Sequence, residues 1–271
     1  MQYLILGNGY IGNMLKQRLG DRARIYPGTI LDAITDDKLG DFDVLINTAA
    51  KTNIDWCEQN KQEAAQINAW GALELAELCQ ELGKRYVFIS SACIFESKDI
   101  DDIKYEDSKP NPGCFYAETK VLAEHLIREK YPQSLIIRPR LPLSFVPHPR
   151  NTINKILSYD KLQTNQESVT ILEDAIPYMI YLIEKGESGT FHLVNEGTIS
   201  PAEIADLFKH PHQKITKQEL DNSMITAGRA RRVTTIVGSK KIPLLPNIKE
   251  RIVELVRDYQ QNASHHATNT N

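Results

Sequence analysis

Along the chain, short runs of apolar and β-branched residues alternate with stretches of helical periodicity. "QYLIL" (2–6), "ARIY" (23–26), "DVLIN" (43–47), "RYVFIS" (85–90) and "SLIIR" (134–138) read as strands. Between the third and fourth, "KQEAAQINAWGALELAELCQELG" sets Ala65, Ala69, Ala72 and Ala76 at i, i+4, i+7 and i+11. A small-residue stripe of that kind lets one helix lie close on a sheet. The alternation predicts an α/β fold: a Rossmann-type, doubly wound parallel sheet with helices on both faces.

After Pro139 the rhythm breaks, and the proline-rich "PRLPLSFVPHPRN" reads as a loop leaving the sheet's C-terminal edge. Beyond it the pattern predicts a helix (151–158), a strand (168–171), a helix (174–185), a strand (190–194) and helices at 201–209 and 247–260. The expected organisation is a dinucleotide-binding domain over 1–145, to which 172–195 returns. A smaller C-terminal substrate-binding lobe takes 146–171 and 196–262. The polar, aperiodic end, 263–271, reads as a disordered tail in which His265 and His266 are incidental.

Composition narrows the classes. With 41% apolar and 25% charged residues in 271, the chain has the make-up of a soluble globular protein. A net charge of −3 gives no electrostatic reason for nucleic acid or an anionic membrane as partner. No apolar run reaches the roughly 20 residues of a membrane helix, and "MQYLILGNG" does not read as a signal peptide. Cys57, Cys79, Cys93 and Cys114 show no C-x-x-C spacing and no histidine pair within helical reach, which argues against a metal site. Free thiols without a secretion signal point to the cytoplasm.

Chemistry enters at "LILGNGYIG", where Gly7, Gly9 and Gly12 form G-x-G-x-x-G directly after the first strand. The first glycine permits the turn, the second lets a pyrophosphate approach the backbone, and the third lets helix pack on strand. Asn8, Tyr10 and Ile11 complete the loop, whose helix N-terminus offers N–H groups to phosphate. The second strand ends in Tyr26–Pro27 rather than in the acidic residue that binds the ribose hydroxyls of NAD. With Arg22 and Arg24 nearby, this points to NADPH, NAD(H) being the alternative; Asp32 reads as lying beyond the strand.

Tyr-x-x-x-Lys puts an ammonium on the same helix face as a phenol, where it can lower the tyrosine's pKa and hold a nicotinamide ribose. It occurs three times. Tyr105–Lys109 falls in the turn-rich "YEDSKPNPG", and Tyr181–Lys185 in a later helix where Tyr181 is expected in the core. Tyr116–Lys120 opens the helix "CFYAETKVLAEHLIREK" between strands four and five. There it can meet Ser91, just past the C-terminal end of strand four, where open α/β sheets bind ligands.

With the glycine loop, "NTAAKT" (47–52), Ser91 and Tyr116/Lys120 in this order, the chain resembles an extended short-chain dehydrogenase/reductase acting on nucleotide sugars, of the dTDP-4-dehydrorhamnose reductase group. "NIDWCEQNK" (53–61), "ACIFE" (92–96), "GCFYAETK" (113–120), "RPRLPLS" (138–144), "PRNTINKI" (149–156) and "SVTILEDAIP" (168–177) resemble the bifunctional UDP-4-keto-6-deoxy-glucose 3,5-epimerase/4-reductases. Two features depart from the extended pattern: the loop has one position fewer than G-x-x-G-x-x-G, and the run from Tyr26 to Asp43 is short. The reductase-only relatives carry Asp-Tyr where this chain has Ala92-Cys93.

The resemblance implies Ala49, Ala50, Thr52 and Ser90 as further cofactor contacts beside Tyr116 and Lys120. It implies hydride transfer from NADPH to C4 of a UDP- or dTDP-linked 4-keto-6-deoxy sugar, with Tyr116 and Ser91 at O4. Cys93 and Lys155 would be the acid–base pair that inverts C3 and C5, Lys155 having its amine pKa lowered by burial. Arg140, Asn151 and Arg229 would contact substrate, Arg229 at the pyrophosphate. Asn68 would bond backbone near the tyrosine, hold a water or serve structure alone. A homodimer is common in such relatives. Two other readings stay open: a reductase in which Cys93 only packs, and a non-catalytic, nucleotide-binding regulatory subunit of the same fold.

Overall fold

The computed structural model describes residues 1–36 and 39–268, the side chains of 263–268 excepted. The strand β1 (Tyr3–Leu6) leads through the glycine loop into α1 (Tyr10–Leu19), followed by β2 (Ala23–Ile25), α2 (Ile30–Thr35), β3 (Val44–Asn47) and α3 (Ile54–Gln59). Helix α4 (Lys61–Ala65) passes through a π-helical turn, Gln66–Trp70, into α5 (Gly71–Glu81). Then come β4 (Arg85–Ile89), α6 (Phe115–Lys130), β5 (Leu135–Pro139), β6 (Pro142–Leu143), α7 (Thr152–Ile156), β7 (Lys161–Gln163) and β8 (Thr170–Ile171). The chain continues through α8 (Leu172–Glu184), β9 (Gly189–Leu193), α9 (Pro201–Leu207), β10 (Gln213–Ile215), α10 (Lys217–Thr226) and α11 (Ile248–Thr268).

The main sheet runs β2-β1-β3-β4-β5-β9, with parallel pairing from β2 through β5. All four residues of β1 and of β3 are buried, because helices cover both faces. Successive strands β2 and β3 lie on opposite sides of β1. The switch point of this doubly wound sheet therefore falls between β1 and β3, where such folds bind ligands. Among the described residues a single strand, β2, lies beyond β1. The short run after Tyr26 makes α2 and then re-enters the sheet at β3.

The alanine stripe holds with one physical correction. The π-turn inserts an extra residue into what reads as a continuous helix, so Ala64 rather than Ala65 is buried, and Asn68 and Ala69 both turn inward. Helix α10 escaped the periodicity because it buries no residue; its capping box, Thr216 with Glu219, is its one sequence signal. Tyr181, expected in the core, is exposed on α8, its ring 5.6 Å from that of Tyr178.

The chain divides into two compact units, 1–95 with 109–138 and 176–191, and 96–108 with 139–175 and 192–271. Each has its own apolar core. Segment 96–108, expected in the first domain, belongs to the second because Ser97 N donates to Thr234 O at 2.8 Å and Lys104 N to Ile236 O at 2.9 Å. Helix α11 continues through 263–268, the first part of the expected tail, where no Gly or Pro stops it; 269–271 lie outside the described residues. Among the described residues no helix is long and apolar enough to cross a membrane, and no group of three His, Cys, Asp or Glu could hold a metal ion.

Candidate active site

Gly7 leaves β1 at φ +107°, and a Cβ there would stand 2.6 Å from Thr48 Oγ1 and 2.8 Å from Ala49 N. One on Gly12 would stand 2.1 Å from Gly7 O. Strand, loop and helix thus meet backbone to backbone, the close approach that glycine permits. Thr48 Oγ1 locks the loop by donating to Leu6 O at 2.8 Å and Gly7 O at 3.1 Å. Gly9 is the N-cap of α1; no side chain caps that helix and no acidic residue stands in its first turn. An uncapped helix N-terminus over a glycine cradle suits a pyrophosphate. Asn8 accepts from the Asn13 amide at 2.9 Å, while Tyr10 and Ile11 open α1, half-buried.

Across the switch point, Ala49 and Ala50 are half-buried and Thr52 is exposed. Ala49 N donates to Asn47 Oδ1 at 3.0 Å, and Asn47 in turn donates to Tyr86 Oη at 2.9 Å. The arginines that suggested NADPH are engaged elsewhere: Arg22 pairs with Glu184 at 2.7 Å, and Arg24 donates to Leu39 O. Asp32 serves α2, closing a capping box with Thr29 whose N–H and hydroxyl hold its carboxyl below the usual range.

Helix α6 begins after the extended Cys114 and carries Glu118 in its first turn and Arg128 and Lys130 in its last, charges that suit its dipole. Phe115 N, a leading donor, bonds Glu58 Oε1 at 2.7 Å. Lys120 is buried, its Nζ donating to Ile89 O at 3.1 Å and lying 4.5 Å from the Phe88 ring centre. Burial pulls its pKa down to about 8, against the opposing pull of Cys93, Glu124 and Cys57. Tyr116 keeps some exposure, yet burial around its hydroxyl pushes its pKa well above 10, and Cys93, Cys57 and Cys114 push the same way. The expected depression of the tyrosine by Lys120 is therefore overturned: desolvation dominates, and Tyr116 is held protonated.

Ser91 follows β4 and caps the turn Ala92–Ile94, its Oγ accepting from Cys93 N at 3.2 Å. Helix α6 packs on that turn, and Cys93 is close enough to act electrostatically on both Tyr116 and Lys120. Ser90, expected at the cofactor, instead buries its hydroxyl against Glu124 Oε1 at 2.6 Å. Glu124 also binds Arg138, through Nε at 2.8 Å and through Nη2. Sequence reasoning missed this pair, although Glu124 continues the Tyr116–Lys120 stripe by one more turn. Asn68 accepts from Lys51 N at 2.8 Å and donates to Lys51 O at 3.1 Å and to Thr119 Oγ1 at 3.2 Å. It does bond backbone, in the loop after β3.

The remaining predicted residues lie in the second unit. Lys155 stands on α7, exposed as a residue, with its pKa lowered by partial desolvation and by Arg150 and Arg232. Arg140 is turned inward: Nη2 meets Glu167 Oε2 at 2.6 Å and Val233 O at 2.7 Å. Asn151 is fully buried and caps α7, giving its amide hydrogens to Ser144 O and Val146 O, both at 2.9 Å. With both donors used inside the unit, it serves structure rather than the expected substrate contact. Arg229 is exposed just past α10, its N–H closing the helix end on Met224 O at 2.9 Å.

The family model for the RmlD substrate binding domain matches residues 7–220. The chain belongs to the RmlD family. A trifunctional UDP-glucose 4,6-dehydratase/UDP-4-keto-6-deoxy-D-glucose 3,5-epimerase/UDP-4-keto-L-rhamnose-reductase of Arabidopsis thaliana is 29% identical over 282 residues, 94% of this chain and 41% of that one. This RmlD family member thus spans about two fifths of the plant trifunctional proteins. A bifunctional dTDP-4-dehydrorhamnose 3,5-epimerase/reductase of the same plant is 28% identical over 219 residues, covering 76% of this chain and 72% of its own. The crystal structure of the UDP-rhamnose synthase of Acanthamoeba polyphaga mimivirus superposes with a TM-score of 0.84 at 27% identity, covering 95% of this chain and 99% of that one.

Proposed function

We propose that the protein first inverts C3 and C5 of a UDP- or dTDP-linked 4-keto-6-deoxy sugar and then reduces C4 with NADPH. The observation that carries this reading is Lys120 anchored on the carbonyl of Ile89, two residues before Ser91, with Tyr116 one turn away on the same helix. The plant and viral relatives support the substrate class, since their activities are on UDP- and dTDP-linked sugars of this kind.

NADPH fits the residues present. The cradle of Gly7, Gly9 and Gly12 at the uncapped α1 would hold its pyrophosphate, with Ala49, Ala50 and Thr52 beside it and Lys120 at the ribose. Bound there, it supplies the hydride that C4 receives. Tyr116, protonated through neutral pH, gives its proton to O4 as negative charge develops there, and Ser91 donates a hydrogen bond to the same oxygen. Lys120, charged below about pH 8, stabilises the resulting tyrosinate until water reprotonates it.

Before reduction, the C4 carbonyl acidifies the hydrogens on C3 and C5. Removing one as a proton leaves an enolate, whose oxygen takes hydrogen bonds from Tyr116 and Ser91. Reprotonation from the opposite face inverts the centre. Cys93 and Lys155 supply the base and the acid. The lowered pKa of Lys155 favours a neutral amine able to take up a proton.

The test is incubation with UDP- and dTDP-4-keto-6-deoxy-glucose plus NADPH, the product's stereochemistry being read by NMR. A rhamno product, with solvent deuterium at C3 and C5 that Cys93→Ala abolishes, is expected. Reduction without inversion would leave a reductase in which the buried Cys93 only packs. No turnover of either sugar would favour the regulatory subunit.

A further inference from the structure

A fully buried ion pair that the mechanism leaves unused stands on the helix of Tyr116 and Lys120 and on the neighbouring strand β5. Glu124 is 1% and Arg138 0% exposed, and their contact is forked, Nε to Oε1 at 2.8 Å and Nη2 to Oε2. Ser90 Oγ donates to the same Oε1 at 2.6 Å. The Arg138 guanidinium also lies 5.3 Å from the Phe95 ring centre. Ser90 and Phe95 bracket the segment that carries Ser91 and Cys93, while Glu124 sits one turn beyond Lys120. One carboxylate thus ties together the ends of β4 and β5 and the helix that bears Tyr116. Stability alone does not explain such a pair, because replacing both partners of a buried ion pair by apolar groups is often neutral or stabilising.

We propose that Glu124 and Arg138 are a positioning pair for the reaction, holding segment 90–95 in register with Tyr116 and fixing a negative charge one turn from the Lys120 ammonium. It rests on the reductase reading above. The groups that face Lys120 are Cys57 of α3, Cys93 of the turn after β4, the Phe88 ring and Ile89 carbonyl of β4, and Glu124 on its own helix. Glu124 is the carboxylate among them and favours the charged lysine. Without it, Lys120 gives up its proton at lower pH.

Glu124→Gln alone strands a buried guanidinium, so the test uses the double variant Glu124→Gln/Arg138→Met beside Ser90→Ala, which strands no charge. In the double variant, kcat is expected to fall roughly tenfold with KM little changed. The basic limb of its kcat profile moves to lower pH, as does the Lys120 titration followed by 13C NMR of the labelled side chain. Ser90→Ala is expected to lower kcat and leave that limb in place, because the carboxylate remains. Glu124→Asp, which keeps the charge, should likewise hold the limb at its wild-type position. A folded double variant with wild-type kcat and an unmoved Lys120 titration overturns the proposal, as does wild-type kcat in Ser90→Ala. The titration needs no substrate, so a wild-type protein that turns over no keto sugar refutes the reductase reading while the Lys120 midpoint still decides the pair.

Discussion

Asn68 holds both backbone groups of Lys51, accepting from its N–H at 2.8 Å and donating to its carbonyl at 3.1 Å. Its nitrogen also reaches Thr119 Oγ1 at 3.2 Å, on the helix of Tyr116 and Lys120. The π-turn that aims this amide inward therefore aligns the loop after β3 with α6. Asn68→Ala leaves the part-buried Lys51 N–H without its partner, while Lys51 O keeps Cys57 Sγ and Thr119 Oγ1 keeps Tyr116 O, a loss of about 1–3 kcal/mol. Urea denaturation should show that loss, and the KM for NADPH should rise because Ala49, Ala50 and Thr52 lie in the released loop.

The glycine cradle makes a sharper claim about binding than about stability. A Cβ on Gly12 would stand 2.1 Å from Gly7 O and 2.9 Å from Thr48 Oγ1, so Gly12→Ala forces the loop backbone apart. NADPH affinity, read by fluorescence titration, should fall by at least roughly 100-fold, equivalent to about 2.7 kcal/mol. Gly83 is the control: it has φ +65°, and a Cβ there would meet nothing within 4 Å. Gly83→Ala is expected to lose about 1 kcal/mol of stability and to leave dinucleotide affinity unchanged.

Arg140 is expected to report on folding rather than on substrate. Its partner Glu167 is buried, and desolvation already holds that carboxyl above the ordinary range against the pull of Arg140. Arg140→Met leaves the carboxylate unpaired, a loss of about 3–5 kcal/mol at neutral pH. A raised acid contributes its stability below the unfolded pKa and loses it as pH rises. The deficit should therefore shrink on acidification as Glu167 takes up a proton. Denaturation at pH 5 and pH 7 checks the sign. A raised substrate KM with unchanged stability would restore the substrate-contact role.

What was legible in the sequence was whatever is local. Gly7, Gly9 and Gly12 act within one turn, and Tyr116 and Lys120 share one helix face, so spacing, with position between strands four and five to choose among three Tyr-x-x-x-Lys pairs, exposed them. The supports of the site join distant segments: Thr48 reaches Gly7 across 41 residues, Ser90 reaches Glu124 across 34, and Glu124 reaches Arg138 across 14. No periodicity encodes such contacts. The π-turn was hidden for the same reason, since the alanine stripe suggests an uninterrupted helix while the bonds of Asn68 to Lys51 and Thr119 form only in the fold. Burial also reversed the electrostatic expectation at Tyr116, because a lysine at i+4 is visible in the sequence and the loss of water around the phenol is not.

Lys120 sets activity and stability against each other as pH rises. Its pKa in the fold is about 8, below the 10.5 of the free side chain, because burial disfavours the charged form. The unfolded chain thus binds the extra proton between these values, and stability rises with pH across that window. The gain, fully present only above the unfolded pKa and lost as pH falls through about 8, amounts to about 3 kcal/mol at most. It should appear as a growing difference in unfolding free energy between wild type and Lys120→Met from pH 8 to pH 10. Reductase turnover should fall over the same range, since neutral Lys120 no longer stabilises the tyrosinate left by proton donation, whereas Tyr116 keeps its own proton to higher pH. Urea titrations at a series of pH values, paired with kcat measured on the same samples, check both slopes. If stability and turnover decline together above pH 8, Lys120 is not the buried, reluctantly charged group that the fold makes it.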